Sequence, residues 1–171
     1  MGDKTQLLSL LLAAHYKRPV PIILGILVAT LANHFVAGAL GEWISSLFSA
    51  DVLRWIVGGS LLAVAAWTLI PDKLDEDLRM PTRYGVFVIT CVVFFLAEIG
   101  DKTQIATVIL AAKYQSLVLV VVGTTLGMLI ANVPVVYFGS AGASRIPFRA
   151  VRIGASLLFA AMGLAALFMA S

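Results

Sequence analysis

Glu98-Ile99-Gly100-Asp101-Lys102-Thr103-Gln104 lies inside an apolar stretch running from Tyr84 to Tyr114, and its last five residues occur a second time as Gly2-Asp3-Lys4-Thr5-Gln6. Aligning residues 2–16 with 100–114 gives nine identities in fifteen positions: the pentapeptide, then Leu12/Leu110, Ala13/Ala111, Ala14/Ala112 and Tyr16/Tyr114. Low complexity can imitate the leucine and alanine matches. It does not easily imitate five different residues in order. The agreement continues as Gly25 with Gly123, and as Asn33 with Asn132 after one inserted residue. Gly58-Gly59-Ser60-Leu61-Leu62 then matches Gly154-Ala155-Ser156-Leu157-Leu158. The chain reads as two copies of one unit.

The solvent of those copies follows from composition. Of 171 residues, 61% are hydrophobic and 12% charged, with a mean hydropathy of +1.02. Soluble domains run about 45–50% apolar and about 25% charged. An ordinary soluble enzyme, a disordered chain and a nucleic-acid binder are thereby excluded. Apolar runs near twenty residues recur, each enough to span a bilayer. They predict an all-α membrane protein of six transmembrane helices. The first copy gives a helix to about Ala14, then Val20–Leu40 and Val52–Ile70. The second gives Tyr84–Tyr114, Leu117–Phe138 and Val151–Ala170. Residues 1–70 form repeat one, 71–82 an acidic linker with Asp72, Asp75, Glu76 and Asp77, and 83–171 repeat two.

Three spans per copy is an odd number, so the copies are expected to be inverted repeats, a recurrent plan among secondary transporters. Loops after spans one, three and five carry Lys17, Arg18, Lys73, Arg79, Arg83, Arg145, Arg149 and Arg152, against Arg54 and Lys113 opposite. The positive-inside rule assigns the first set to the cytoplasm and both termini to the far side. This distribution also accounts for the net charge of +3 without an acidic partner. Pro19 and Pro21 suit a helix start, and Pro134 predicts a kink. Trp43, Trp55 and Trp67 fall near span ends, where indoles favour the headgroup zone. Cys91, the single cysteine, reads as core filler. No targeting segment is visible, which suggests a prokaryotic plasma (inner) membrane.

Fourteen apolar-stretch residues precede Glu98, which sets the motif near the bilayer midplane. A carboxylate at a helix centre costs about 2.5–3.5 kcal/mol on insertion scales, so such residues point to function. The 31 residues of Tyr84–Tyr114 would make about 46 Å of helix, longer than a span needs. Gly100 is the candidate break. The bland alternative is a buried ion pair of Lys102 with Asp101 or Glu98 that only fixes packing. Its repetition in two inverted halves argues instead for one site built from two sides. Carboxylate, hydroxyl, amide and carbonyl oxygens suit Ca²⁺, Mg²⁺ or Mn²⁺. Without cysteine or histidine in the motif, zinc and copper are disfavoured. Asn33 and Asn132 either add amide oxygens or bond helix to helix. Thr5, Thr103, Gln6 and Gln104 are ligands or supporting donors, unless the hydroxyls bond back to their own helices. His34 has Val133 as its counterpart and reads as a packing residue.

The paired Glu-φ-Gly-Asp-Lys/Arg-Thr/Ser pattern in a six-span chain resembles the transmembrane-protein-165-like family of Ca²⁺/Mn²⁺:H⁺ exchangers. Glu98–Thr103 matches the motif completely, and the first copy matches from Gly2 to Thr5. The resemblance implies movement of Mn²⁺ or Ca²⁺ against protons, with Asp3, Glu98 and Asp101 as metal ligands. Thr5, Thr103, Gln6, Gln104, Asn33 and Asn132 lie beside them, and Lys4 and Lys102 balance charge. No resident cofactor is expected, the metal being substrate, and the chain is expected not to be an enzyme. Partners are the metal, protons, the lipid bilayer and a second copy in a homo-oligomer. The alternatives are an exporter of a small organic cation or amino acid, and a membrane assembly factor whose acids pair with a partner's arginines.

The first copy departs from the motif, since Met1 aligns with Ile99 and nothing in the chain aligns with Glu98. Residues 2–14 make only about 20 Å of helix, short of a core of about 30 Å. Asp3, Glu98 and Asp101 against Lys4 and Lys102 leave a charge of −1, three acids minus two lysines. A glutamate opposite Glu98 would make it −2 and balance a divalent cation. The expectation is a further half-helix ahead of Gly2. The alternative is that Met1 is the true start and the half-site works as it stands.

Overall fold

The computed structural model describes residues 3–71, 84–140 and 148–168. Within them the chain is all helical: α1 (Asp3–Tyr16), α2 (Pro19–Ser45), α3 (Ala50–Thr68), α4 (Val86–Glu98), α5 (Lys102–Tyr114), α6 (Leu117–Ser140) and α7 (Phe148–Phe168). Residues 72–83, which hold all but the first residue of the expected 71–82 linker together with Lys73, Arg79 and Arg83, lie outside the described residues, as do Gly2 and Arg145. Three helices are long and apolar enough to cross a bilayer, over Pro19–Ser45, Ala50–Thr68 and Leu117–Gly139. Val86–Glu98 and Arg152–Phe168 are shorter apolar helices. Large apolar side chains face outward, among them Val118, Leu119, Ile130 and Phe168. A water-soluble monomer rarely exposes so much apolar surface.

The break falls at Gly100. Ile99 is extended after the last residue of α4, and Gly100 takes φ +75°, a left-handed conformation open to glycine at little cost. Asp101 then opens α5 from the N-cap position. The 31-residue stretch is thus two half-helices. The second helix outruns its expected end at Leu40 and reaches Ser45. Gly41 allows this, because a side chain there would meet the Val108 carbonyl and the Ala111 methyl of α5. α6 continues through Pro134.

The copies agree in local detail. α1 and α5 both stop at a left-handed residue, Lys17 (φ 52°) and Gln115 (φ 48°). These are equivalent positions in the repeat, and their amides donate to equivalent carbonyls, Ala13 at 3.0 Å and Ala111 at 2.9 Å. Packing exchanges elements between copies: α1 lies on α6, α5 lies on α2, and α2 and α6 lie on each other. α3 pairs with α7 through Gly58 and Gly163 and through the Ser156 hydroxyl, which donates to the Ala65 carbonyl at 2.8 Å. α4 covers α1 and α2. Phe94 joins Leu8, Leu12, Ile22, Ile26 and Val136 in one buried cluster.

The α2–α5 contact gives a direct test. Gly41→Ala forces a methyl onto backbone and should destabilise the protein by about 1–3 kcal/mol, the usual cost of overpacking. Gly59→Ala, with open space around it, should leave thermal unfolding in detergent unchanged or slightly raised.

Candidate metal centre

The break sets two acids at opposite helix ends. Glu98 is the last residue of α4, where the helix dipole presents negative charge and favours cations. Asp101 caps α5, its carboxylate accepting from the Thr103 amide at 3.5 Å. The turn between them is closed by the Asp101 amide donating to the Glu98 carbonyl at 3.0 Å. It is pinned again by the Gly100 amide, which donates to Gln104 Oε1 at 2.7 Å.

Glu98 is only 2% exposed. Its carboxylate is met by α2: Thr30 Oγ1 donates to one oxygen at 2.8 Å and Asn33 Nδ2 to the other at 3.1 Å. Asn33 Nδ2 also reaches the Phe95 carbonyl at 3.0 Å, and Asn33 Oδ1 accepts from Gln104 Nε2 at 3.4 Å. Asn33 therefore joins α2 to both half-helices. An ionised carboxylate offers about four lone-pair sites, so two accepted bonds leave capacity for a ligand.

A second group surrounds Asn132 on α6. Ser9 Oγ donates to Asn132 Oδ1 at 2.8 Å, and Gln6 Nε2 donates to the adjacent Ala131 carbonyl at 3.4 Å. Asn132 Nδ2 bonds back to Met128 O on its own helix at 2.9 Å, where Asn33 instead reaches Glu98. Thr5 and Gln6 are buried and Lys4 half-buried. Asp3 opens α1, but its side chain lies outside the described part. Glu98, Asn33 and Gln104 thus come together on one side, and Gln6 and Asn132 on the other. The helices that carry the two groups, α2 and α6, pack against each other.

Lys102 is buried within the bundle. Its Nζ donates to the Ile70 carbonyl at 2.6 Å and lies 5.6 Å from the centroid of the Trp67 ring. The C-terminal end of α3 and an aromatic face both favour a cation. His34 is buried with neither ring nitrogen hydrogen-bonded, and Cys91 Sγ lies 3.5 Å from the Gly25 carbonyl. Thr30 and Ser9 are functional neighbours that the motif does not name, and the sequence marks Trp67 only as a span-end indole. Thr30 is three residues before Asn33 and Ser9 three after Gln6, on the same helix faces, which is the signal that finds them. Nothing local marks Trp67 as the partner of Lys102.

Among the described residues no three His, Cys, Asp or Glu side chains gather closely enough to hold a metal ion. The donor set is two carboxylates with hydroxyl and amide oxygens near them. All are hard oxygen donors, a chemistry fitted to Mg²⁺, Ca²⁺ or Mn²⁺ and not to soft metals.

A family model described as divalent cation/proton antiporter GDT1 matches residues 1–76 and 86–171. A Vibrio cholerae protein whose name makes it a candidate manganese exporter is 53% identical over 169 residues, spanning 98% of this chain and 84% of its own length. GDT1-like protein 4 of Oryza sativa subsp. indica is 30% identical over 195 residues, spanning 98% and 68%. A GDT1-like protein of Synechocystis is 27% identical over 179 residues, spanning 93% and 86%. No solved structure matches the chain. Matched along almost all its length, and lined with apolar helices around buried oxygen donors, the chain is an integral membrane protein and belongs to the GDT1 family of divalent cation/proton antiporters, a family of transporters and not of enzymes.

Proposed function

We propose that this chain exchanges Mn²⁺, with Ca²⁺ as the competing substrate, for protons across a prokaryotic plasma membrane. The observation that carries the reading is Glu98, buried at the C-terminal end of a half-helix and facing the Thr30 hydroxyl and the Asn33 amide. Glu98, Asp101 and Asp3 are the proposed acidic ligands. Thr5, Thr103, Gln6, Gln104, Asn33 and Asn132 supply or orient further oxygens, and Lys4 and Lys102 balance charge. The name of the Vibrio cholerae relative favours Mn²⁺, and the family description supplies the proton as counter-ion.

The mechanism uses one set of acids for two cargoes. Ionised, they bind the cation; protonated, they are neutral and return without it. Dehydration penalises the ionised form of a carboxylate unless a cation or donors compensate, so an unloaded, charged intermediate is disfavoured and leakage is limited. Six spans in two inverted three-helix repeats, at 1–70 and 83–171, are the proposed frame. The exchange of packing between copies, α1 on α6 and α5 on α2, supports it. Rocking one repeat against the other opens such a site to either side. The arginine- and lysine-rich loops after spans one, three and five are assigned to the cytoplasm.

Proteoliposomes with an imposed pH gradient test the coupling. Mn²⁺ flux should follow the gradient, and Asp101→Asn or Glu98→Gln should reduce it at least tenfold. Flux indifferent to the gradient, or unchanged in both variants, overturns the proposal. Glu98→Gln keeps the side chain's shape and one acceptor oxygen for the Asn33 amide, and its own amide nitrogen can donate to the Thr30 oxygen in reverse, so it should still fold. A second measurement needs no flux. Saturating Mn²⁺ at about 100 times Kd should add about 2.7 kcal/mol to stability. Glu98→Gln should lose most of that gain, while Zn²⁺ should give less than Mn²⁺ in the native protein. A gain carried fully by an amino acid and not by Mn²⁺ would favour the organic-cation reading.

A further inference from the structure

His34 stands beside the acid site without a partner of its own. It is 1% exposed, and neither ring nitrogen has a hydrogen-bond partner among the described residues. A neutral imidazole carries one N–H donor and one acceptor nitrogen, and leaving both unmet inside a bundle costs free energy. Packing alone does not account for it. The equivalent position of the other copy holds Val133, so the repeat fills that place with an aliphatic side chain. His34 is four residues after Thr30, on the same face of α2, and next to Asn33. Those two residues hold the Glu98 carboxylate, which sets the imidazole one helical turn from it.

Unpartnered hydroxyls lie on the helices that His34 faces. α2 and α5 run the same way, since Asn33 meets Gln104 and Gly41 abuts Val108 and Ala111. α6 returns from the end of α5 and is therefore antiparallel to α2. A Cβ on Gly38 would lie 2.6 Å from Leu117 Cδ1 and 3.2 Å from Val121 Cγ2. One turn back along α2 and one turn on along α6 set His34 against Thr125. Thr125 is 3% exposed and its hydroxyl has no partner. The buried hydroxyl of Thr103 has none either, and it neighbours Gln104, the residue by which α5 reaches Asn33. Buried polar atoms left unmet in this way call for a ligand or water.

We propose that His34 supplies a nitrogen ligand to the transported cation at this junction of α2, α5 and α6, and that this ligand sets the preference for a first-row divalent cation such as Mn²⁺ over Ca²⁺. The inference rests on the proposed cation exchange and deepens it. Ca²⁺ and Mg²⁺ take oxygen ligands, whereas neutral imidazole is a common ligand of first-row divalent metals. The acids alone, all oxygen donors, do not separate Mn²⁺ from Ca²⁺ in this way. No closed cage of three acidic or imidazole side chains forms among the described residues, so a cation at His34 keeps part of its water, with the Thr103 and Thr125 hydroxyls as neighbours. That suits a station on a path, where a cation must bind well enough to enter and weakly enough to leave.

Magnetic resonance of bound Mn²⁺ tests the ligand directly. The chain has two histidines, His15 and His34, so in His15→Gln only His34 remains. That variant, with ¹⁵N confined to the imidazole ring and loaded with Mn²⁺ in detergent, should show electron spin-echo modulation from a directly bound ring nitrogen. This measurement needs no change at His34 itself. The modulation should vanish in His34→Val, which installs the residue of the other copy. Calorimetric titration gives a second readout. His34→Val should raise the Mn²⁺ Kd about tenfold or more and leave the Ca²⁺ Kd within about twofold, because Ca²⁺ makes no use of a nitrogen donor. Mn²⁺ bound without ring modulation overturns the role of His34 and leaves the exchange reading standing. Equal losses of Mn²⁺ and Ca²⁺ affinity do the same, since they mark a structural residue. Failure of the native protein to bind Mn²⁺ overturns both.

Discussion

The constraint on which the structure turns is a carboxylate placed in an apolar bundle. Glu98 is buried away from solvent, and an unsatisfied buried polar group costs about 1–3 kcal/mol, more when charged. The chain meets that demand from α2, with Thr30 and Asn33 one helical turn apart. Those two residues fix the rotation of α2 about its axis, and with it the faces that α2 shows to α4, α5 and α6. Asn33 goes further, since its carbonyl holds Gln104 of the next half-helix and Gln104 holds the amide of Gly100. Acid, break and scaffold are one hydrogen-bonded circuit, and a change at any member disturbs the others.

The break also orients backbone dipoles. A continuous helix through residue 100 would present no termini near the acids. Dividing it gives Glu98 the negative end of α4 and Asp101 the positive end of α5. The two acids therefore differ in electrostatic setting although they stand three residues apart. Asp101 is favoured as an anion by the helix it caps. Glu98 sits where a cation is favoured. This asymmetry would suit the proposed exchange, in which the acids hold a cation and later release it.

Legibility in the sequence followed the range of the interactions. The helices and the break at Gly100 are local or pattern-based and therefore legible: apolar runs of membrane length, and one glycine beside a buried acid. Helix ends were less clear. α2 runs to Ser45 because Gly41 lets it pass α5 closely, a fact about a partner helix that α2's own sequence does not contain. From the sequence, Asn33 and Asn132 are either ligands or helix-to-helix bonds. In the structure each bonds across helices, Asn33 to Glu98 and Gln104, and Asn132 to Ser9. The spacing presents Lys102 as a charge partner of the acids and gives no sign of its contacts with α3. Its bond to the Ile70 carbonyl and its place over Trp67 depend on where α3 ends in space, which no spacing rule encodes.

The copies are alike where the backbone must turn and unlike where the site is made. α1 and α5 end on the same left-handed residue with the same capping bond, a constraint of chain geometry that duplication carries unchanged. At the centre the paired asparagines diverge. Asn33 donates to an acid, whereas Asn132 donates to a carbonyl of its own helix. An amide nitrogen that bonds back to its own helix is already satisfied and can be recruited by a competing acceptor at small net cost, since one hydrogen bond is exchanged for another. Asn132 thus keeps an exchangeable donor on Met128 while its carbonyl accepts from Ser9, whereas Asn33 is committed to Glu98 and the break. Among the described side chains the two asparagines are thus placed unequally, Asn33 bonded to Glu98 and Gln104, and Asn132 to Ser9 and its own helix.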